Sequence, residues 1–199
     1  MKKIYKDIRK LALKYQDFRD DKGHAKITLN FAQKLLKPGT GDPDVIIPAI
    51  ILHDTGYSQL SKKERFLIFK ADRTEKEERD VRIKHQKEGC RIAETILKKV
   101  NYDKKLSKHI IEIISQHDTR VGFFSKEDVL MRDADKLWRF SKTGFWADVK
   151  RFKILAQEHY NRLERDLNTR RFMFTASAKT IAKQELNQRK KEIKNRGEF

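Results

Sequence analysis

The feature that most constrains the fold is one apolar segment, residues 45–53, that closes on a histidine and is followed by an aspartate. Its residues are apolar on nearly every side of a helix, so a helix formed there has to be enclosed by other elements. A loop rich in Gly and Pro, residues 37–43, precedes it. Asp44 is predicted to cap this helix and Gly56 to end it. The segment is therefore predicted to be a central, buried helix.

The rest of the chain favours helices around that segment. Only 8 Gly and 3 Pro interrupt 199 residues, and Lys, Glu, Leu, Ile and Ala are abundant, which disfavours a sandwich of short strands. Apolar residues recur three and four apart, as on one face of a helix. Further helices are predicted at residues 3–19, 24–36, 81–100, 106–117 and 126–140, and through most of 146–194 with an interruption around 168–177. We predict an all-α fold, a compact multi-helix bundle.

The length of the chain fits one domain with an additional helical region. Residues 1–145 are predicted to form the helical bundle with the functional site. Residues 146–199 are predicted to be a basic helical C-terminal region that packs on the same domain and ends in a frayed tail. The polar segment 58–80 is predicted to be a partly helical, mobile excursion beside the site.

The net charge is +18, from 47 basic and 29 acidic residues. A field of that sign attracts phosphate-bearing partners, and nucleic acid is one candidate partner of the basic surface. The alternative is a solvated, Lys-rich surface. Cys90 is the only cysteine, which predicts a reducing, cytoplasmic setting. No apolar stretch is long enough to span a bilayer, so no membrane partner is predicted. The oligomeric state stays open.

The chemistry is expected at the end of the central helix. His53 and Asp54 are ionisable residues that close a buried segment, where an unpaired charge is expensive and a divalent metal can supply the partner. The dipeptide alone is weak evidence, because it recurs at His117 and Asp118. Its position after a buried helix makes it the stronger candidate.

Other potential metal ligands lie at similar junctions between predicted helices. His24 begins one helix, His85 lies near the start of another, and His117 ends a third. Asp133 and Asp135 lie in an apolar context late in the chain. Imidazole and carboxylate ligands suit Mn, Fe, Zn, Co or Ni. Such scattered ligands gather only in a bundle whose helix ends converge, and their spacing is too wide for a zinc finger or an HExxH helix.

These residues, in this order, resemble the HD-domain superfamily of metal-dependent phosphohydrolases. The resemblance rests on HAKI at residues 24–27, AIILHDTG at 49–56 and RDADKL at 132–137. HQKEGCRIA at residues 85–93 and IISQH at 113–117 are similar to the additional histidines of some branches. The resemblance covers about residues 23–140 and implies the helical bundle of the HD-domain type.

The resemblance also implies the metal ligands. The first ion would be held by His24, His53, Asp54 and Asp135, with Asp133 as the alternative to Asp135. His85 and His117 would complete a second site, with Asp54 bridging, or else would hydrogen-bond to substrate phosphate or to each other. The cofactor would be one or two divalent ions per chain, of Mn, Fe, Co, Ni, Zn or Mg.

The expected reaction is the attack of metal-bound water on phosphorus in a nucleotide or another phosphate ester, as a phosphomonoesterase or a phosphodiesterase. Asp54 is the expected proton acceptor. Lys136, Arg82 and Arg120 are candidates to stabilise charge on the phosphoryl group. The alternative function is a nucleic-acid-binding helical module whose histidines are structural. His109 is expected at the surface, and His159 is expected to be structural or exposed.

Overall fold

The structure, a computed structural model, describes residues 1–19, 21–37, 39–169 and 172–197. Over these residues the chain forms ten α-helices, three short 3₁₀ helices and no strand, so the all-α prediction is confirmed. The α-helices are α1 Lys3–Ala12, α2 His24–Leu35, α3 Pro43–Leu52, α4 Lys62–Leu67, α5 Glu75–Lys99, α6 Lys104–Ile114, α7 Lys126–Lys136, α8 Lys142–Phe152, α9 Ala156–Asn168 and α10 Ala176–Asn195. The 3₁₀ helices are Leu13–Tyr15, Thr55–Gln59 and Leu137–Phe140.

The apolar helix α3 lies at the centre of the fold, packed against α1, α2, α6 and α7. All its residues from 45 to 52 are buried. Asp42 caps the helix by accepting a hydrogen bond from the Asp44 backbone N–H at 2.8 Å, and Pro43 occupies the first turn. The prediction that Asp44 is the cap is wrong, because Lys2 and Tyr5 donate to the Asp44 carboxylate instead.

The helix α3 continues through a proline. Pro48 has no N–H to donate to the Asp44 carbonyl four residues earlier. The Tyr102 hydroxyl donates to that carbonyl at 2.7 Å and so satisfies it from the connection between α5 and α6. The central helix therefore continues past Pro48, because the Tyr102 side chain replaces the missing backbone donor.

The 3₁₀ helix that follows α3 lies directly against the backbone of α5. A Cβ on Gly56 would lie 1.9 Å from the His85 carbonyl oxygen and 2.4 Å from the Gly89 nitrogen. Helix α3 ends at Leu52, with His53 as its C-cap, so the prediction that Gly56 terminates it is wrong. The glycine instead allows two backbones to touch, which fixes His85 relative to the end of α3.

The C-terminal helices pack against the end of the bundle. Helices α8 and α10 contact the 3₁₀ helix Leu137–Phe140, and α9 packs against both of them. Arg189 of α10 is buried and donates to the Phe140 carbonyl at 3.3 Å, while Glu185 and Glu192 pair with its charge. Among the described residues, a large apolar cluster extends from Tyr5 to Ile193 and includes residues of every α-helix except α4.

Several predicted helix boundaries are corrected by capping side chains. Helix α5 begins at Glu75 rather than 81, because Thr74 and Glu77 form a capping box; His85 therefore lies well inside the helix. Helix α6 spans Lys104–Ile114, so His117 lies in the turn beyond its end. The first predicted helix is shorter: α1 stops at Ala12, and the 3₁₀ helix carries the chain only to Tyr15.

Some predicted features fall outside the described residues. They are Pro38 in the predicted loop 37–43, Arg170 and Arg171 in the predicted interruption, and Glu198 and Phe199 in the predicted tail. Within the described ranges, no helix combines the length and apolar character that crossing a membrane requires.

Candidate metal centre

The first His/Asp group consists of His24, His53, Asp54 and Asp135. His24 is the first residue of α2, His53 and Asp54 follow α3, and Asp135 lies in the last turn of α7. One ligand atom of each lies within 4.8 Å of the other three. The Nε2 atoms of His24 and His53 are 3.1 and 3.2 Å from Asp135 Oδ1. Ligands bound about 2.1 Å from one ion are about 3–3.5 Å apart, so this spacing suits a coordination shell.

The second His/Asp group consists of Asp54, His85 and His117. The two Nε2 atoms of His85 and His117 are 3.4 Å apart and lie 3.8 and 3.5 Å from Asp54 Oδ1. The other oxygen of the same carboxylate, Oδ2, lies 3.4 and 3.5 Å from His24 and His53. Asp54 therefore directs one oxygen to each group and joins the two.

Backbone hydrogen bonds set the protonation of two of these imidazoles. The Nδ1–H of His53 donates to the Ile50 carbonyl at 2.9 Å, and that of His117 donates to the Ile114 carbonyl at 2.8 Å. A carbonyl only accepts, so the neutral rings carry their lone pairs at Nε2, where they face carboxylate oxygens. Acceptors that converge in this way are satisfied by a proton on Nε2 or by a shared metal ion, and imidazole with carboxylate is the donor set of a transition metal. The residues fit a metal ion.

The electrostatics of the two groups differ. Burial lowers the pKa of His53, but Asp54 and Asp135 outweigh it and raise the pKa to about 9. Burial opposes ionisation of both carboxyls, yet Arg19 holds the pKa of Asp54, and His53 that of Asp135, well below the ordinary value. At His85 burial dominates and lowers the pKa to about 3. The first group thus attracts positive charge, while His85 stays in the neutral form that binds metals.

Arg19 is a site residue that the sequence reasoning missed. Its guanidinium donates to Asp54 Oδ2, lies 3.4 Å from an Asp21 oxygen, and stacks 3.9 Å from the centre of the Tyr57 ring. That ring in turn stacks on His85 at 4.0 Å. Arg19 precedes α2 in an irregular segment, so no helical periodicity marks it.

Asp118 is the second missed residue. Its Oδ2 lies 3.5 Å from His85 Nε2 and 3.0 Å from the Arg82 guanidinium, which also pairs with Glu78 at 2.7 Å. Coulombic attraction from His117 and Arg82 overcomes burial and lowers the pKa of Asp118. Asp118, which is not among the ligands predicted from the sequence, therefore belongs to the site together with His117.

A cavity of about 500 Å³ opens beside the two groups. Its basic lining residues are Arg19, Arg82, Arg132, Lys136, Arg139 and Arg151. The Lys136 ammonium donates to the Phe172 carbonyl at 2.7 Å, and burial lowers its pKa to about 8. The lining also carries six acidic residues, so its charges are of both signs: Asp21, Asp54, Glu78, Asp118, Asp135 and Asp148. Carboxylates that held metal ions would leave the basic side chains of this concave volume to an anionic ligand.

Asp133 lies outside the first group. It is fully buried and accepts hydrogen bonds from the backbone N–H of Phe174 and of Thr175, at 3.0 and 2.9 Å, and from the Thr175 hydroxyl at 2.8 Å. It anchors the segment before α10. Of the two alternative ligands, the structure brings Asp135 and not Asp133 to the histidines.

Three other residues lie away from the cavity. Arg120 pairs with Glu112 at 2.7 Å and is not a residue that lines the cavity, so its contact with phosphate stays a prediction that this geometry does not support. His109 is half-buried rather than at the surface, with its Nε2 2.9 Å from Ser125 Oγ. His159 is 2% exposed, which agrees with a structural role.

The comparison with protein families agrees with this geometry. The HD domain model matches residues 8–139, more than half of the chain. The chain therefore belongs to the HD domain family, whose members are generally metal-dependent hydrolases, and the resemblance stated from the motifs is confirmed. The match runs from α1 through the 3₁₀ helix Leu137–Phe140 and so includes both His/Asp groups. No curated protein and no solved structure matches the chain significantly.

Proposed function

We propose that this protein is a metal-dependent phosphohydrolase that acts on a nucleotide or another phosphate ester. The observation that carries the proposal is the position of Asp54, whose two oxygens face two groups of histidines beside a cavity whose lining includes six basic side chains. A pair of ions joined by one carboxylate is an arrangement suited to displacement at phosphorus.

The donor atoms divide naturally between two ions. His24, His53, Asp54 and Asp135 would hold one divalent ion, and Asp54, His85 and His117 would hold a second. When bound, such ions lower the pKa of water and neutralise charge on a phosphoryl oxygen. Imidazoles with carboxylates favour Mn, Fe, Co, Ni or Zn over Mg.

Asp54 is the carboxylate that belongs to both His/Asp groups. We assign it the role of proton acceptor for the attacking water. Arg19 keeps it ionised and holds its Oδ2, while the Tyr57 ring supports the guanidinium of Arg19. Arg82 is engaged by Glu78 and Asp118, so we assign it to positioning Asp118 rather than to binding phosphate.

Lys136 is the residue we assign to the phosphoryl oxygens. It follows Asp135 directly in α7, and its ammonium lies in the wall of the cavity. Burial lowers its pKa to about 8, and a phosphate oxygen brought next to it would favour the charged form. The ammonium would then offset charge that develops on the phosphoryl group.

The test uses purified protein with p-nitrophenyl phosphate and bis(p-nitrophenyl) phosphate, which separate monoesterase from diesterase activity. Hydrolysis is expected with added Mn, Co or Ni and is expected to stop when the ions are chelated. Asp54→Ala is expected to lower kcat by roughly 100-fold or more with the helical circular dichroism unchanged. Asp72→Ala, which removes an exposed carboxylate, is the control and should keep full activity.

Two results would contradict the proposal: activity that survives Asp54→Ala, and activity that does not depend on a metal. If no ester is hydrolysed but nucleic acid binds with a steep dependence on salt, the alternative of a binding module without catalysis is supported instead.

A further inference from the structure

The loop between α6 and α7 exposes apolar side chains next to the cavity. Val121 is 95% exposed, Phe123 47% and Phe124 46%. Phe174, which precedes α10, meets Phe123 edge to face with the ring centres 4.4 Å apart. We call Phe123, Phe124 and Phe174 the aromatic rim. Phe123 and Phe124 are exposed and Phe174 is half-buried. Two consecutive exposed aromatic side chains in so polar a chain indicate a surface that binds a partner.

Basic side chains lie over every ring of the rim. The Arg120 guanidinium is 5.2 Å from the centre of Phe124. The Arg132 guanidinium is 5.6 and 5.5 Å from Phe123 and Phe174, and Lys136 Nζ is 4.0 Å from Phe174. Flat π-faces interleaved with cations are the components with which proteins bind single-stranded nucleic acid, because bases stack on the rings and phosphates pair with the cations.

The rim is continuous with the cavity. Arg132 and Lys136 line the cavity, and helix α7, which carries both, also carries Asp135 of the first group. Arg132 further donates to the Gly122 carbonyl at 2.7 Å, so it holds the exposed loop against α7. A ligand that leaves the cavity past Arg132 therefore reaches the rim.

The aromatic rim lies beyond the space that a mononucleotide in the cavity would occupy. None of its three rings is among the described residues that line the cavity, so a mononucleotide held there leaves the rings uncovered. A ligand that covers them carries further bases beyond the phosphate in the cavity. The net charge of +18 suits a polyanion of this kind.

We propose that the aromatic rim binds the bases of a single-stranded nucleic acid whose phosphate end enters the cavity. Stacking on the rim is independent of catalysis, and only the placement of the phosphate end rests on the function proposed above. The stacking faces do not distinguish RNA from DNA, so both are included in the test.

Binding is measured by fluorescence anisotropy without added metal, on 5′-phosphorylated oligo(U) and oligo(dT) of about 12 nucleotides labelled at the 3′ end. The oligonucleotides are expected to bind at least about 100-fold more tightly than UMP, with affinity falling steeply as salt rises. Vesicles of phosphatidylserine and phosphatidylcholine serve as the alternative anionic surface.

Paired variants separate stacking from simple apolar contact. Phe123→Leu with Phe124→Leu keeps apolar volume but removes the π-faces, and is expected to weaken oligonucleotide binding by about 10-fold or more. Phe123→Tyr with Phe124→Tyr keeps the faces and should bind within about twofold of the unaltered protein. Neither pair is expected to change the rate of p-nitrophenyl phosphate hydrolysis, because the rim does not line the cavity.

Equal oligonucleotide affinity in the leucine and tyrosine pairs overturns the proposal, as does an oligonucleotide that binds no more tightly than UMP. Binding to the vesicles with no binding to the oligonucleotides also overturns it in favour of a lipid surface. Failure of the proposed function would be recognised separately, because the small esters would then not be hydrolysed in the presence of metal. The anisotropy experiment would still test the aromatic rim in full.

Discussion

Asp54 presents a different oxygen to each His/Asp group, and Arg19 contacts the oxygen on the side of the first group. Each of the other ligands belongs to only one of the two groups. His117 faces only the second group, where its Nδ1–H is held by the Ile114 carbonyl. Removing one histidine of the second group should therefore leave the donors of the first group in place.

His117→Ala is expected to lower the metal content from two ions per chain to one. Loss of one imidazole donor lowers the affinity of that site by roughly 10- to 100-fold or more, while the first group keeps its four ligands. Elemental analysis after dialysis against Mn or Co gives the stoichiometry, with His109→Ala as a histidine control outside the site. One ion in the unaltered protein would instead make His85 and His117 contacts of the substrate.

His159 is buried against Phe145, and within the described chain neither of its ring nitrogens has a hydrogen-bond partner. Burial lowers its pKa from 6.5 to about 4. Between these values the unfolded chain binds more protons than the folded one, so the free energy of unfolding falls as the pH drops through this range. Through this histidine alone, the free energy of unfolding is about 2 kcal/mol lower at pH 5 than at pH 7.

The variant His159→Phe is expected to remove that part of the pH dependence. Urea unfolding at pH 7 and pH 5 should give a decrease smaller by about 2 kcal/mol in the variant than in the unaltered protein. The other titrating groups are common to both proteins and cancel in the comparison. An identical decrease in both would mean that folding does not lower the pKa of His159.

At the scale of the elements, part of the site could be predicted because it lies at helix ends. His24 and His53 lie at boundaries that apolar periodicity and turn residues mark in the sequence. Asp135 lies inside the predicted helix 126–140 and is named only through the resemblance to HD domains. Arg19 and Asp118 could not be predicted in this way. Each owes its place to ion pairs with residues distant in sequence, such as Asp118 with Arg82, and such pairs leave no periodic pattern.

The errors in the predicted helix boundaries have similar physical causes. The start of α5 lies in a charged stretch without apolar periodicity, although its capping pair, Thr74 and Glu77, is visible in the sequence. Gly56 was interpreted by its usual role after a helix. Its actual role depends on His85 and Gly89 of α5, which lie 29 and 33 residues further along the chain, and only the packed structure reveals that approach.

The central helix depends on a side chain from outside it. Tyr102→Phe removes the hydroxyl that satisfies the Asp44 carbonyl opposite Pro48 and is expected to destabilise the protein by about 1–2 kcal/mol. Chemical denaturation measures this change. In the control Tyr102→Phe with Pro48→Ala, a backbone N–H replaces the lost donor and should recover much of the stability. No recovery would mean that the hydroxyl acts through another contact.

At the scale of the whole molecule, the C-terminal region supplies partners to the bundle. Phe174 and Thr175 donate to the buried Asp133, and Arg189 donates to the Phe140 carbonyl. The apolar cluster is shared between the two parts of the chain. The predicted boundary at residue 145 remains a prediction, and these contacts show what a cut at that point would remove.

A fragment of residues 1–145 is expected to lose cooperative unfolding. The cut leaves the buried carboxylate of Asp133 without its three donors, which costs about 3 kcal/mol or more, and it exposes part of the core. Thermal unfolding followed by circular dichroism tests this, with a chain that ends at residue 195 as the control. A fragment that unfolds as sharply as the full chain would show that residues 1–145 are an independent domain.

The contact of Gly56 with α5 has a consequence for redesign. Its backbone lies so close to the His85 carbonyl that only a hydrogen atom fits between them, so position 56 offers no substitution with which to adjust the distance from Asp54 to His85. A substitution at position 56 therefore cannot adapt the site to ions of another radius. The adjustable partner is His117, which lies in a turn beyond α6 rather than against a neighbouring backbone.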